Sequence, residues 1–201
     1  MFRFPSDIDI GEDTTALTET IAGPLLQRWR PQFRFHPREP QFPVDVNEYL
    51  ACCSVIDKRS GHVKADRAQW GDISDRHDIA LLPDENATLK RRVHGYARRL
   101  KDGRLLLTYI LFYVKQPDVR VCCCCARGAH HGDLERVCVL TDQEGEEVEF
   151  VYFSAHGSRE SSWVRADDVT RVAEDGRPIV WVALHTHANY WSSGSKIRLW
   201  G

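Results

Sequence analysis

Alternating apolar and polar residues dominate the second half of the chain, and this pattern predicts β-strands. Residues 92–100 and 104–114 are two β-rich runs joined by Lys101-Asp102-Gly103, which is typical of a hairpin. Residues 134–141 and 146–154 form another such pair around a turn at 142–145. A largely apolar strand is predicted over 178–187 and a last short one over 196–200.

The first half contains fewer regular elements. Apolar positions at helical spacing predict a helix over 14–30 that is broken at Gly23-Pro24. The proline-rich segment 31–43 is predicted to be extended, 46–53 to form one or two helical turns, and 56–89 to be a polar excursion with at most a short strand. Strands joined by short turns indicate a mainly β fold, an antiparallel β-sandwich with a few short helices. We expect a single domain over 14–201, preceded by a flexible N-terminus at 1–13.

Composition narrows the class of protein. The formal net charge is −2 and 42% of the residues are hydrophobic, which is enough for a real core. A near-neutral chain lacks the overall basic charge of a protein that coats nucleic acid, so nucleic acid is not an expected partner. The longest apolar run, 105–114, is far shorter than the about 20 residues of a membrane span, so no transmembrane segment is predicted.

The cysteines indicate a compartment. There are seven, and four are consecutive at 122–125, where neighbouring residues pair poorly with each other. An unpaired run of this kind, without a signal peptide at the acidic N-terminus, predicts an intracellular, cytoplasmic protein. Cys122 and Cys125 also form a C-x-x-C, which with His130, His131 and Cys138 supplies the ligand types of a zinc site. Cysteines that pack as small apolar side chains are the alternative.

The second hairpin predicts a cluster of acids and imidazoles. If Gln143 and Glu144 form its two-residue loop, Val139 faces Val148 and Val137 faces Phe150 on the core face. The same face continues outward through the pairs Glu135–Tyr152, Asp133–Ser154 and His131–His156, with His130 in the loop before them. Carboxylates and an imidazole at this spacing favour Mg²⁺, Ca²⁺ or Mn²⁺. The alternative is a set of solvated strand-end charges paired with Arg136 or Arg159.

A second group of polar and aromatic residues follows the strand predicted at 178–187. His185 and His187 are two residues apart, so they are expected to share one face of that strand. With Asn189, Tyr190 and Trp191 they predict one wall of a ligand pocket. Simple packing of strand-end aromatic residues is the alternative.

Four motifs in order resemble the vacuolar protein sorting-associated protein 62 family. The first is Arg34-Phe35-His36-Pro37 with the stretch at 42–50, and the second is 130–135, which matches H-E-G-D-W-E. The others are 154–157, matching S-x-H-G, and 185–190, matching G-S-H-A-N-Y. This chain departs from the motifs at His131, Leu134 and His185, which stand where the family has Glu, Trp and Gly.

The last three motifs also resemble, more distantly, the necrosis-inducing cytolysins, whose signature is G-H-R-H-D-W-E. Those proteins are compact β-sandwiches that bind a divalent metal at the signature and dock on membrane sphingolipid headgroups. The resemblance implies the metal ligands His130, Asp133 and Glu135, with Asp118 as the one nearby upstream carboxylate. It also aligns His156 with a histidine of the family motif that supports the metal ligands.

Three functions follow as hypotheses. The first is a binding module in which a divalent metal, Mg²⁺ or Ca²⁺ before Mn²⁺ and Zn²⁺, holds a polyol or phosphorylated headgroup of a lipid or sugar. Its ligand would stack on aromatic residues, drawn from Tyr152, Trp163, Tyr190 and Trp191. The second is a metal-dependent hydrolase of esters or phosphoesters with His156 or His187 as general base, so whether the chain is an enzyme stays open. The third is a trafficking adaptor whose acid–histidine cluster is structural. Peripheral contact with a membrane is a further option, because Lys90, Arg91, Arg92, Arg98, Arg99 and Lys101 form a basic stretch.

Overall fold

A six-stranded antiparallel sheet forms the centre of the fold, in the order β1-β6-β7-β10-β11-β12. Its strands are β1 (Thr15–Ala16), β6 (His94–Arg99), β7 (Leu105–Gln116), β10 (His130–Thr141), β11 (Val148–Phe153) and β12 (Ser162–Arg165). The computed structural model describes residues 15–69, 79–84, 87–120, 126–127, 129–155, 161–172 and 174–193. The two twelve-residue strands, β7 and β10, pair along almost their whole length and carry the core.

Smaller elements surround this sheet. A three-stranded sheet has the order β14-β13-β2, formed by Asn189–Tyr190, Ile179–Val182 and Gln32–Phe35. Another has the order β4-β3-β5, formed by Val63–Ala65, Cys53–Asp57 and Ile79–Pro83. The pair β8 (Val119–Arg120) and β9 (Ala126–Arg127) stands apart, and the helical elements are α1 (Glu19–Arg28), α2 (Val46–Ala51) and a 3₁₀ turn, Ala166–Asp168.

The main core lies between the six-stranded sheet and the sheet that contains β13 and β2. Alternate residues of β7, β10 and β11 bury their side chains there together with Val180 and Val182 of β13, while Phe33 and Phe35 of β2 pack against them. Two hydrophobic layers sharing one core confirm the predicted mainly β, largely antiparallel fold with few helices. The exception is the pairing of β2 with β13, which is parallel.

Helix α1 continues through Gly23-Pro24, so the predicted break is wrong. Tertiary contacts hold the helix despite the proline, because Ala22 and Trp29 are buried in the main core. The indole of Trp29 donates a hydrogen bond to the Gly145 carbonyl at 2.8 Å, which ties the end of the helix to the β10–β11 turn. The polar excursion expected over 56–89 was underestimated too, since it contributes to three strands of the small sheet β4-β3-β5.

The register predicted for the second hairpin is wrong by three residues. Val137 pairs with Phe153 and Val139 with Val151, whereas the prediction paired them with Phe150 and Val148. The turn is longer than two residues: the Asp142 N–H donates to the Glu147 carbonyl, Gly145 adopts φ +78°, and a register shift follows at Leu140/Thr141. Val148 stays in the core as predicted, but the odd shift exchanges the faces of the rest of β11, so Val151 and Phe153 point into the core while Phe150 and Tyr152 point out. The faces of β10 are as predicted.

Strand β13 ends at Val182, five residues before the predicted end at 187. His185 and His187 instead belong to a turn in which both have left-handed backbone, φ 67° and 54°. They therefore do not share a strand face. The N-terminus predicted to be flexible (1–13), the strand predicted over 196–200 and the cysteine run 122–125 lie outside the described residues. No described helix has the length and apolarity to cross a membrane.

Candidate functional site

Two carboxylates are buried at the beginning of β10. Asp133 and Glu135 each expose 7% of their surface and point to the same side as Val137 in the core. In the register with β7, Asp133 lies opposite Tyr113 and Glu135 opposite Leu111. Removing a carboxylate from water is unfavourable unless hydrogen bonds or a positive charge replace the solvent. The neighbours of this pair therefore decide what the site can do.

His187 is the closest neighbour of Asp133. Its Nδ1 lies 2.7 Å from Asp133 Oδ2, and the residue is completely buried. Its ring stacks on Tyr113, with 3.8 Å between ring centroids and 4° between planes. The left-handed turn that ends at His187 thus brings an imidazole from outside the six-stranded sheet onto the acidic end of β10.

Glu39 is a functional candidate that the sequence did not single out. Like its neighbour Arg38, it lies in the proline-rich segment before α2, and no motif or spacing in the sequence marks it as a site residue. In the structure it is buried, and its Oε2 accepts the His185 N–H at 2.6 Å. Its Oε1 accepts the Gln41 N–H at 3.0 Å and lies 3.7 Å from His187 Nε2. The His187 imidazole consequently lies between two carboxylates, those of Asp133 and Glu39.

Ser154 and Asn189 complete the surroundings of Glu135. The Ser154 hydroxyl donates to Glu135 Oε2 and accepts the Arg136 N–H at 2.8 Å and the Asn189 Nδ2–H at 3.4 Å. Burial raises the pKa of Glu135 to about 7; the Ser154 hydrogen bond opposes this rise, and the nearby Asp133 charge adds to it. Glu135 is therefore a carboxyl group that changes protonation near neutral pH.

Several buried polar atoms around the carboxylates make no hydrogen bond in the described structure. They are Tyr113 Oη, His185 Nδ1, Thr186 Oγ1, His187 Nε2 and Asn189 Oδ1. Burial raises the pKa of the Tyr113 phenol, and the charges of Glu135, Asp133 and Glu39 add to the effect, so its hydroxyl stays protonated and can donate a hydrogen bond. A concentration of unused donors and acceptors beside carboxylates is the usual chemistry of a polar binding site.

The other predicted site residues are not all near this cluster. His130 and His131 are exposed at the start of β10, and Asp118 is exposed with its Oδ1 accepting the Ala129 N–H at 3.0 Å. Tyr152 lies on the opposite face of the sheet, where its ring packs against Trp163. Tyr190 and Trp191 follow Asn189 in the chain: Tyr190 pairs with Trp181 in the small sheet, and Trp191 packs against Phe153. His156 lies outside the described residues.

The four metal ligands implied by the resemblance do not come together in the described part of the chain. No group of three or more His, Cys, Asp or Glu residues there has an arrangement that would hold a metal. Asp133 and Glu135 suit a cation, because both are buried oxygen donors on one face and the burial of Glu135 opposes its negative charge. His130 and Asp118 do not fit, since both are exposed and Asp118 is already hydrogen-bonded to the backbone.

Comparisons with known proteins give a weak likeness. No protein-family model matches the chain, and no curated protein matches it. A solved structure described as NLPPya in complex with mannosamine is 14% identical, with a TM-score of 0.48 over 85% of this chain and 66% of that chain. Necrosis and ethylene inducing protein 2, from the causal agent of cocoa's witches' broom disease, is 15% identical, with a TM-score of 0.48 over 94% and 75%. This chain thus spans slightly less than two thirds of the first protein. The resemblance to the vacuolar protein sorting-associated protein 62 family stays a prediction from the motifs.

Proposed function

We propose that this protein is a binding module whose buried acidic cluster holds a small polar ligand through a divalent cation. The acidic cluster consists of Asp133, Glu135, Glu39 and His187, and the cation would be bound by Asp133 and Glu135. The observation that carries the proposal is the burial of these two carboxylates beside unused hydrogen-bonding atoms, with no buried lysine or arginine against them in the described residues. Bound in this way, Mg²⁺ or Ca²⁺ would neutralise the acidic pair and coordinate hydroxyl or phosphate oxygens.

The protein side chains would then select and orient the ligand. Tyr113 Oη offers a donor, Asn189 Oδ1 an acceptor, and both are buried beside the acids. His187 is fixed by Asp133 on one side and by Tyr113 stacking on its face, so it keeps Asp133 in one orientation. A polyol such as a sugar, or a phosphorylated headgroup, presents the oxygens and hydroxyls that such a cluster would accept.

Thermal unfolding of chelator-stripped protein with and without Mg²⁺, Ca²⁺, Mn²⁺ and Zn²⁺ tests the proposal. A cation that binds only the folded state raises the midpoint, and stabilises by about 2.7 kcal/mol at a hundred times its dissociation constant. The increase should disappear in Asp133→Asn and Glu135→Gln and persist in Asp118→Asn. Asp175→Asn is a matched control, because Asp175 is an exposed turn residue that binds Arg177. No increase with any of the four ions would overturn the metal-dependent function.

One observation favours the hydrolase as a second candidate. A carboxylate that orients an imidazole through Nδ1, as Asp133 does for His187, is the usual support of a general base. His187 Nε2, however, faces Glu39 and is buried, which makes proton transfer to a substrate difficult without movement of the 184–187 turn. Metal-dependent turnover of a generic ester or phosphodiester, lost in His187→Gln, would favour the hydrolase over the binding module. The structural adaptor would show neither metal binding nor turnover.

A further inference from the structure

The acidic cluster is closed to solvent, so a ligand can reach it only if part of the structure moves. Asp133 and Glu135 each expose 7% of their surface, Glu39 exposes 5% and His187 exposes none. The strand that carries the first two, β10, pairs with β7 along almost its whole length and is fixed in the sheet. Two parts of the cluster lie outside that sheet: the segment that carries Glu39 and the turn that carries His187.

The histidine turn, which we define as residues 184–187, is short and has a fixed residue on each side. Before the turn, Val182 pairs with both β2 and β14. After the turn, the Asn189 N–H donates to a carbonyl just beyond β11 at 2.9 Å. Two small residues, Ala183 and Ala188, join the turn to these fixed positions, as is common for hinges at the ends of regular elements. The turn can therefore pivot while β13 and β14 stay in place.

The closed conformation of the histidine turn is locally unfavourable. His185 and His187 both have left-handed backbone, φ 67° and 54°, which is disfavoured for residues that have a Cβ atom. Thr186 Oγ1 and His187 Nε2 are buried and make no hydrogen bond in the described structure, which adds a desolvation cost. The backbone hydrogen bond inside the turn, from the Thr186 N–H to the Leu184 carbonyl at 2.8 Å, spans only two residues. Contacts outside the turn must therefore keep it closed.

Three such contacts join the histidine turn to the acidic cluster and to β7. Glu39 Oε2 accepts the His185 N–H at 2.6 Å, and His187 Nδ1 lies 2.7 Å from Asp133 Oδ2. The His187 ring also stacks on Tyr113, with 3.8 Å between ring centroids. Two of the three contacts are made to carboxylates of the cluster. The groups that would receive a ligand are thus the groups that hold the turn over them.

We propose that the histidine turn is a gate over the acidic cluster, hinged at Ala183 and Ala188 and held closed by Glu39 and Asp133. When the gate opens, His187 leaves Asp133 and the carboxylates of β10 become accessible; the gate then closes again over the bound cation. Its role as the entrance rests on the proposed function, whereas the opening itself does not. If opening limits access, it sets the rates at which a ligand enters and leaves.

Labelling with diethyl pyrocarbonate, which reacts with accessible neutral imidazoles, tests the opening without a cation. His131 is exposed and gives the unprotected rate, whereas the buried His187 should react only when the gate opens. Alkylation of Cys138, which is buried in β10, reports global unfolding. Urea below the unfolding transition should leave the His187 rate unchanged and accelerate Cys138 alkylation, because local opening exposes little surface. Equal urea dependence of the two rates would overturn the gate.

Two substitutions of His185 change the strain of the gate without altering an acid. Both remove the imidazole, but asparagine tolerates left-handed backbone whereas valine does not. His185→Val should therefore label at His187 about fivefold faster than His185→Asn does. Gly176→Ala is the matched control: it adds left-handed strain at φ +67° in another turn, with nothing within 4 Å of the new Cβ, and should keep the wild-type rate. Equal His187 rates in both His185 variants would contradict the gate.

Cation kinetics separate the gate from the proposed function. Mixing Mn²⁺-loaded protein with excess fluorescent chelator gives the dissociation rate, and titration gives the dissociation constant. His185→Val should release Mn²⁺ about fivefold faster than His185→Asn with an unchanged dissociation constant, because the gate is closed in both the free and the bound protein. If no cation binds, the proposed function fails, and the labelling rates alone decide the gate. If Mn²⁺ binds but both variants release it equally fast, the function stands and the gate does not.

Discussion

The two faces of β10 carry opposite charges, and one face is buried whereas the other is exposed to solvent. On the core face, Asp133 and Glu135 are acidic and buried, with a histidine, a serine and a tyrosine around them. On the outward face, Leu134 exposes 56% of its surface and Arg136 lies exposed over an aromatic ring. An exposed arginine keeps its hydration and adds a modest attraction to the ring, whereas a buried carboxylate loses its hydration. The core face therefore carries the polar groups whose burial requires an explanation by function.

The two faces should differ most in how much stability is lost when one side chain is removed, and the largest loss is expected for His187. His187→Ala leaves Asp133 buried without its partner, which we expect to lower the free energy of unfolding by about 3–5 kcal/mol. The corresponding change on the outward face, Arg98→Ala, should lower it by less than about 1 kcal/mol. Urea denaturation of both variants measures the difference. Equal losses in the two variants would mean that Asp133 is not desolvated as the structure indicates.

The protonation of Glu135 makes the free energy of unfolding depend on pH, an effect that the outward face does not contribute. Its pKa of about 7 is above the ordinary value of 4.5, so the folded state binds the proton more tightly than the unfolded state does. The resulting stability is complete below about pH 4.5 and is lost as the pH rises to about 7, by up to about 3 kcal/mol.

Denaturation at several pH values checks this dependence. Glu135→Gln should flatten the curve between pH 4.5 and 7, because the amide stays neutral throughout. Glu146→Gln is the control at an exposed acid and should keep the wild-type curve. A curve that rises with pH in this window, and does so equally in both variants, would contradict the burial of Glu135.

Substitution of Glu39 tests whether this residue, which lies outside the six-stranded sheet, holds the turn that carries His187. Glu39→Ala removes the acceptor of the His185 N–H, which should lower the free energy of unfolding by about 1–3 kcal/mol. Glu39→Gln retains an acceptor oxygen and should lose less. The His187 ring would also reorient in the alanine variant, and its NMR shifts would follow. If both variants match the wild type in stability and shifts, Glu39 does not hold the turn.

The smallest effect concerns a single arginine–ring pair. A double-mutant cycle of Arg136→Ala and Tyr152→Leu should give a coupling of about 0.5–1 kcal/mol. The cycle of Arg136→Ala with Phe150→Leu is a suitable reference, because the ring of Phe150 is paired with Arg165 instead. A coupling near zero in the first cycle would show that the ring contact adds nothing to stability.

Local patterns were sufficient to predict much of the fold and part of the site. Alternation identified the long strands and placed Asp133 and Glu135 on the core face, because the faces of one strand depend only on its own sequence. The pairing of β11 was not predictable, since a longer turn and a bulge changed the register and with it the face of Tyr152. Glu39 was missed for a similar reason. Its role depends on a contact with His185, 146 positions later in the chain, and no local pattern reports such a contact.

The parallel pairing of β2 with β13 affects the order in which the protein can assemble. It joins Gln32 to Ile179, so the chain must be synthesised through β13 before β2 finds its partner. Contacts this distant in sequence form slowly, because closing the long intervening loop is entropically unfavourable. The hairpins of the central sheet involve short separations and can form first, with Asp133 and Glu135 still open to water. Docking of β13 and the following histidine turn would then bury the acidic pair in one late step, so the acidic cluster would be the last part of the described structure to mature.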